Sequence, residues 1–289
     1  MYNKNHNFGG HWTEQKLLKI KNYLQAYARI MNKQSFRFAY IDAFAGSGYR
    51  TVITDEQSED FLFPEFSECE TTTFLDGSAR IALQVKPQFH KYIFIEKDIS
   101  KAQSLESLKQ EFPLLEKKIS IINADANTYL TDLCLNYSWK NNRAVLFLDP
   151  YGMQVTWSTI EAISKTKAID LWLLFPLGVA VNRLLYRKGN ILPSFKKLLN
   201  ELFGTKEWFR HFYSTTTHSG LFGEETAIEK ISNFDSISNY FVSRLKTVFR
   251  NVAEHPLPLY NSRNNPLYLL CFASSNSTAL KIAQDVLDK

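Results

Sequence analysis

Seven short runs of apolar residues with little polar alternation punctuate the chain: Phe38–Asp42, Tyr92–Ile95, Ile119–Ile122, Ala144–Leu148, Ile169–Phe175, Pro256–Tyr260 and Leu267–Ala273. Runs that stay apolar on both faces belong to strands buried in a parallel sheet. The first five are separated by stretches of helical period. One runs from Ser78 to Val85 and stops before Pro87, and another is capped by Ser100 and stopped by Pro113. A third passes through Leu130, Leu133 and Cys134, and a fourth is capped near Thr156. Ahead of the first strand, Thr13 can cap a helix whose apolar positions Leu17, Ile20, Leu24, Ala28 and Met31 fall three and four apart, with a basic opposite face. The last two runs flank the polar Asn261–Asn265, which predicts an antiparallel pair, and a closing helix reaches Lys289. Strand–helix alternation of this kind predicts a doubly wound α/β fold: a mostly parallel seven-stranded sheet with helices on both faces.

Two stretches interrupt the alternation. Residues 51–76 carry eight acids and no Lys or Arg, which reads as an acidic insertion. Residues 179–249 turn basic and aromatic, with Gly204 as a helix stop and Thr205 as a new cap, and read as a helical insertion serving substrate or partner. With residues 1–37 as an N-terminal helical segment, the chain reads as one domain.

Composition narrows the class. At 289 residues and 45% apolar content the chain can bury a full core, and no apolar run reaches the ~20 residues of a membrane span. The start, Met1–His6, has no apolar signal region, so a cytoplasmic protein is expected. Cys69, Cys134 and Cys271 are too far apart for a zinc site or a disulfide framework, and no metal is expected. The net charge of +5 is modest but clustered. Lys4, Lys16, Lys19, Lys21, Arg29, Lys33 and Arg37 form one basic group, and Arg183, Arg187, Lys188, Lys196, Lys197, Lys206 and Arg210 a second. Two such faces fit a phosphate-backbone footprint and equally fit ordinary solvated helices.

The candidate chemistry lies where strands end. The first strand runs into Ala43–Phe44–Ala45–Gly46–Ser47–Gly48, a turn of small residues whose glycines let a ligand approach the main chain. A dinucleotide fold would place a third glycine at Thr51, which disfavours NAD. Asp42, Glu96, Asp125 and Asp149 stand at the ends of four predicted strands, the edge where open parallel sheets bind ligands. An ionised Glu96 can accept from two ribose hydroxyls, and Asp125 can accept from an adenine amino group while the Ala126 N–H donates to the ring. Phe44 or Ile95 can pack on the nucleoside. His11, His90, His211, His218 and His255 lie at no hydrolase or metal spacing.

The run Asp42-x-Phe44-x-Gly46-x-Gly48 resembles motif I of the class I S-adenosylmethionine (SAM) methyltransferases. From Lys16 onward the chain resembles the three-Cys-motif partner family, through Tyr40–Gly48, Gly77-Ser78-x-x-Ile81-Ala82-Leu83, Phe94–Asp98 and Leu148–Gln154. The resemblance implies a class I methyltransferase fold and SAM held by Asp42, Phe44, Ala45, Gly46, Ser47, Gly48, Glu96, Lys97, Asp125 and Ala126. It also implies a possible protein partner with three cysteines. Asp149-Pro150-Tyr151-Gly152 is similar to the [DN]-P-P-[YF] of amino methyltransferases and closer to the D-P-F-G of tRNA guanine-N2 dimethyltransferases. That similarity implies Asp149, Pro150 and Tyr151 as catalytic residues on an exocyclic amine of nucleic acid, RNA ahead of DNA. Trp157, Phe175 and Pro176 would form a wall beside Tyr151. A protein or small-molecule amine, and a SAM-binding module without turnover, are the alternatives.

Overall fold

The computed structural model of the chain describes residues 11–46, 77–150, 152–220, 223–261 and 263–289. The acidic 51–76 stretch, Ser47, Gly48, Tyr151 and Cys69 lie outside them.

The main sheet begins with β1 (Arg37–Ala43), β2 (Lys91–Glu96), β3 (Ile119–Asn123), β4 (Asn142–Leu148) and β5 (Ile169–Phe175). These are joined by α2 (77–84), α3 (Ile99–Leu105), α4 (Ser107–Glu111), a 3₁₀ turn at Pro113–Lys118, α5 (Ala126–Asn136) and α6 (Trp157–Thr166). The helix expected from Ser100 is thus two short ones. Its cap is Asp98, whose carboxylate accepts from the Lys101 N–H. After β5 come one π turn at Leu177–Val181, the short α7 (Asn182–Leu184), α8 (Pro193–Phe203), α9 (Trp208–Phe212), a hairpin of β6 (Tyr213–Gly220) and β7 (Gly223–Lys230), and α10 (Phe234–Lys246). The chain closes with β8 (Asn251–Val252), β9 (Leu257–Tyr260), β10 (Pro266–Ser274) and α11 (Ser277–Asp288), while α1 (His11–Met31) precedes everything.

Strand order is β3-β2-β1-β4-β5-β10-β8, with β9 also on β10. The five first strands are parallel, and β10 runs antiparallel to β5. Among the described residues the sheet has eight strands rather than seven because its last edge strand comes in two pieces. β8 pairs with Ala273–Ser274 and β9 with residues 266–270, both antiparallel to β10.

Side chains alternate across the sheet and feed two cores. On one face Ile41, Leu146, Leu171 and Cys271 meet α5, α6, α8 and α10. On the other Phe38, Tyr40, Phe147, Trp172 and Phe272 meet α1, α2 and α11. Phe241 of α10 stacks on Phe175 of β5 at 4.0 Å between ring centroids, so α10 covers the sheet as a crossover helix. Residues 179–249 are therefore not wholly helical, since they hold the β6–β7 hairpin, and not wholly an insertion. Helix α1 is tied to the sheet by Tyr23, whose hydroxyl donates to the buried Asp170 at 2.8 Å, an acid that also accepts from Ser274.

Candidate active site at the carboxyl edge of the sheet

The turn after β1 folds back over the end of β2. Phe44 N–H and Ala45 N–H both donate to the Ile95 carbonyl, at 3.1 and 2.9 Å, and Gly46 N–H donates to Glu96 Oε2 at 2.8 Å. Gly46 has φ 65°, and Phe44 has φ 73°, a left-handed conformation that a bulky residue adopts only when its surroundings hold it there. Glu96 is pinned on its other oxygen by the Asp98 N–H at 2.9 Å. Each oxygen keeps a second lone pair, so the pair of hydroxyl donors assigned to this carboxylate remains chemically available. Asn123 holds the turn after β2 from the neighbouring strand, donating to the Glu96 and Lys97 carbonyls.

Asp42 and Asp149 go to the α1 side by strand alternation: Phe38, Tyr40 and Asp42 share a face of β1, as Val145, Phe147 and Asp149 share one at β4. Both are almost fully buried, Asp42 at 0% and Asp149 at 3% exposure. Asp42 Oδ2 accepts from Ser78 Oγ at 2.9 Å and Tyr40 Oη at 3.1 Å. Burial pushes the Asp42 carboxyl up to about 7, with the charges of Asp149 and Glu96 adding and the Ser78 and Tyr40 bonds opposing. Burial likewise lifts Asp149 to about 6, opposed by Lys16, whose Nζ lies 3.9 Å from Asp149 Oδ2. Asp42 Oδ1 and Asp149 Oδ2 accept no hydrogen bond among the described residues. Buried acceptors without donors are costly in a finished core and suit a site that receives a ligand's donors.

The remaining sequence candidates sit further out. Asp125 caps α5, its Oδ1 accepting from Thr128 N–H at 3.1 Å while Oδ2 faces Lys97 at 3.7 Å, both side chains open to solvent. Ala126 is the buried first residue of α5, and Pro150 is buried beside Asp149. Trp157 and Phe175 do not form a wall. Trp157 is buried between α6 and α8 with the Arg244 guanidinium 4.4 Å from its ring, and Phe175 is enclosed under Phe241.

Three contributions escaped the sequence reading. Lys16 and Lys19 were placed on a basic solvent face of α1 but are 1% and 6% exposed, Lys19 donating to the Leu287 carbonyl. Lys16 lies four residues before Ile20, on the packed stripe, and that spacing was the only available signal. Ser78 was visible as a motif member but not as the donor to Asp42. Asn127 clamps the loop after β4, donating to the Gln154 carbonyl at 2.8 Å and accepting from Thr156 N–H and Thr159 Oγ1.

Parallel strands ordered 3-2-1-4-5, an antiparallel strand beside the fifth and a split edge strand beyond it decide the architecture. It is a doubly wound, Rossmann-like α/β fold, ordered as the sequence resemblance to the class I methyltransferase fold implied. No family model matches the chain, and no curated protein matches it in sequence. Among solved structures, spermidine synthase in complex with the transition-state analogue AdoDATO is 10% identical with a TM-score of 0.43, over 94% of this chain and 62% of that one. A methyltransferase from Geobacter sulfurreducens is 14% identical with a TM-score of 0.29, over 73% and 77%. A human methyltransferase 10 domain containing protein is 10% identical with a TM-score of 0.33, over 75% and 84%. The chain spans about 62% of the length of the spermidine synthase it matches.

Proposed function

We propose that the protein is a SAM-dependent methyltransferase that methylates an exocyclic amino group of a nucleobase in nucleic acid, RNA ahead of DNA. The observation that supports it best is the pair of buried carboxylates at adjacent strand ends, each with one oxygen that accepts no hydrogen bond among the described residues. The donor set fits the cofactor: Glu96, held by two backbone N–H groups, suits the ribose hydroxyls, and the buried Asp42 suits a cationic or water donor beside them. When bound, SAM supplies an electrophilic methyl group. Asp149 and the Pro150 carbonyl accept the N–H bonds of the amine and hold its lone pair in line, a contribution of positioning more than of basicity. Tyr151 is assigned the role of stacking on the extruded base. Asp125, Ala126 and Lys97 are assigned to the adenine side of the cofactor, and the backbone of Phe44–Gly48 to its close approach.

The phosphate contacts are assigned to the exposed cations after β5. Arg187 and Lys188, with Lys230, line an open cavity at the base of the β6–β7 hairpin. Lys197 is paired with Glu201 on its own helix and Arg210 with Glu207 just ahead of α9, and both contribute less. A three-cysteine protein partner is implied by the sequence resemblance.

The test incubates the protein with methyl-labelled SAM and separate pools of total RNA, DNA and cell protein, and identifies the methylated product by mass spectrometry. Label in a nucleobase amino group is the expected result. Label confined to protein or small molecules would overturn the nucleic-acid assignment.

A further inference from the structure

We propose that Lys16, delivered by the N-terminal helix, is a positioning residue of the methyl-transfer site that keeps Asp149 in its anionic, amine-accepting form. The inference rests on the methyltransferase reading and assigns a role to a side chain that no strand-end motif contains. Lys16 lies on the packed stripe of α1 with Ile20, Tyr23 and Tyr27, and is as buried as they are. An ammonium in such a place is costly unless a charge faces it, and Asp149 Oδ2 at 3.9 Å is one that does. The Tyr268 ring of β10 lies 5.9 Å from Lys16 Nζ.

Anchoring the helix does not require this pair. Tyr23 already bonds Asp170, and Lys19 bonds the Leu287 carbonyl of α11, so α1 is fixed to the sheet and to the last helix without Lys16. What Asp149 otherwise faces would protonate it. Burial opposes its charge, and Asp42 and Tyr40 of β1 are close enough for their ionisation to be linked to it, with Glu96 of β2 beyond Asp42. A protonated Asp149 would present a donor where the proposed reaction needs an acceptor. Lys16 supplies a charge that opposes protonation of this carboxylate, and its own ammonium is lowered by burial to about 7 with Asp149 opposing, so the two groups titrate as a pair.

The test follows the Asp149 side-chain carboxyl carbon by NMR in ¹³C-aspartate-labelled protein, the signal being assigned by its loss in Asp149→Asn. In Lys16→Met the titration midpoint of Asp149 is expected to rise by about one pH unit or more, and in Lys16→Arg to return toward wild type. Reciprocally, Asp149→Asn, which leaves α1 untouched, is expected to lower the Lys16 midpoint read at its ε-carbon by about one unit. Unchanged midpoints in both experiments would overturn the proposal. With labelled SAM and the RNA pool, Lys16→Met is expected to shift the acid limb of the rate profile to higher pH while keeping most of the alkaline rate. An equal loss at every pH would make Lys16 merely structural and would also overturn it. Failure of the wild-type protein to bind SAM in a calorimeter would instead remove the methyltransferase reading, and the role of Lys16 with it, even where the two titrations prove coupled.

Discussion

Asp149 and Asp170 are both buried carboxylates lifted to about 6 by desolvation, yet they do different things. Asp170 accepts from Tyr23 and Ser274 on its two oxygens and closes a structural contact between α1, β5 and β10, whereas Asp149 Oδ2, 3.9 Å from Lys16 Nζ, accepts no hydrogen bond among the described residues. Asp149→Ala is therefore expected to lower methyl transfer by 100-fold or more while leaving SAM affinity within a few-fold, measured by labelled transfer and calorimetry. Loss of binding along with transfer would move Asp149 to the cofactor. For Asp170 the folded pKa lies above the usual carboxylate value, so its contribution to stability is fully present below about pH 4 and is lost as pH rises through about 6. Melting curves of wild type and Asp170→Asn should then diverge between pH 4 and 6, wild type losing on the order of 3 kcal/mol relative to the variant. Parallel curves would mean that Asp170 titrates normally. Residue roles were the least legible part of the sequence: a lysine such as Lys16 reads as solvated by its type, its place on the apolar stripe four residues before Ile20 is a weak signal, and its partner across the fold is what assigns it a role.

The elements themselves were legible where burial on both faces leaves an unbroken apolar run. Strand β5 has the predicted bounds Ile169–Phe175, and all seven of its residues are buried. The β6–β7 hairpin was missed because Thr215, Thr216 and Thr217 are exposed and carry no apolar period. Their β-branching, with Gly220 and Gly223 at the turn, was the available signal. The stop at Gly204 was legible from glycine's preference for helix ends, and the structure adds a second need for it: the residue caps α8 at φ 66°, and a Cβ there would lie 2.1 Å from the Trp157 ring. Gly204→Ala combines left-handed strain with a clash against a buried indole, so a loss of about 2 to 3 kcal/mol and a melting point lower by on the order of 5 °C or more are expected by calorimetry. A variant melting within a degree of wild type would show that Trp157 moves freely.

At the scale of the molecule, the sheet gathers Asp42, Glu96 and Asp149 at one edge and leaves the exposed cations around Arg187 and Lys188 on the segment after β5. The order of polar clusters along the sequence made that edge legible, since each ends a parallel strand. The basic N-terminal face was not, because two of its lysines belong to the interior. If phosphates lie against the second basic region, Arg187→Ala with Lys188→Ala should weaken RNA binding in a fluorescence titration and flatten the plot of log affinity against log salt by about 1 to 2. An unchanged slope would place the nucleic acid elsewhere. The most direct test of the whole account is isothermal calorimetry of the wild-type protein with SAM, S-adenosylhomocysteine and NAD in turn. Saturable binding of SAM and S-adenosylhomocysteine, and none of NAD, is the predicted result; binding of NAD alone would contradict it.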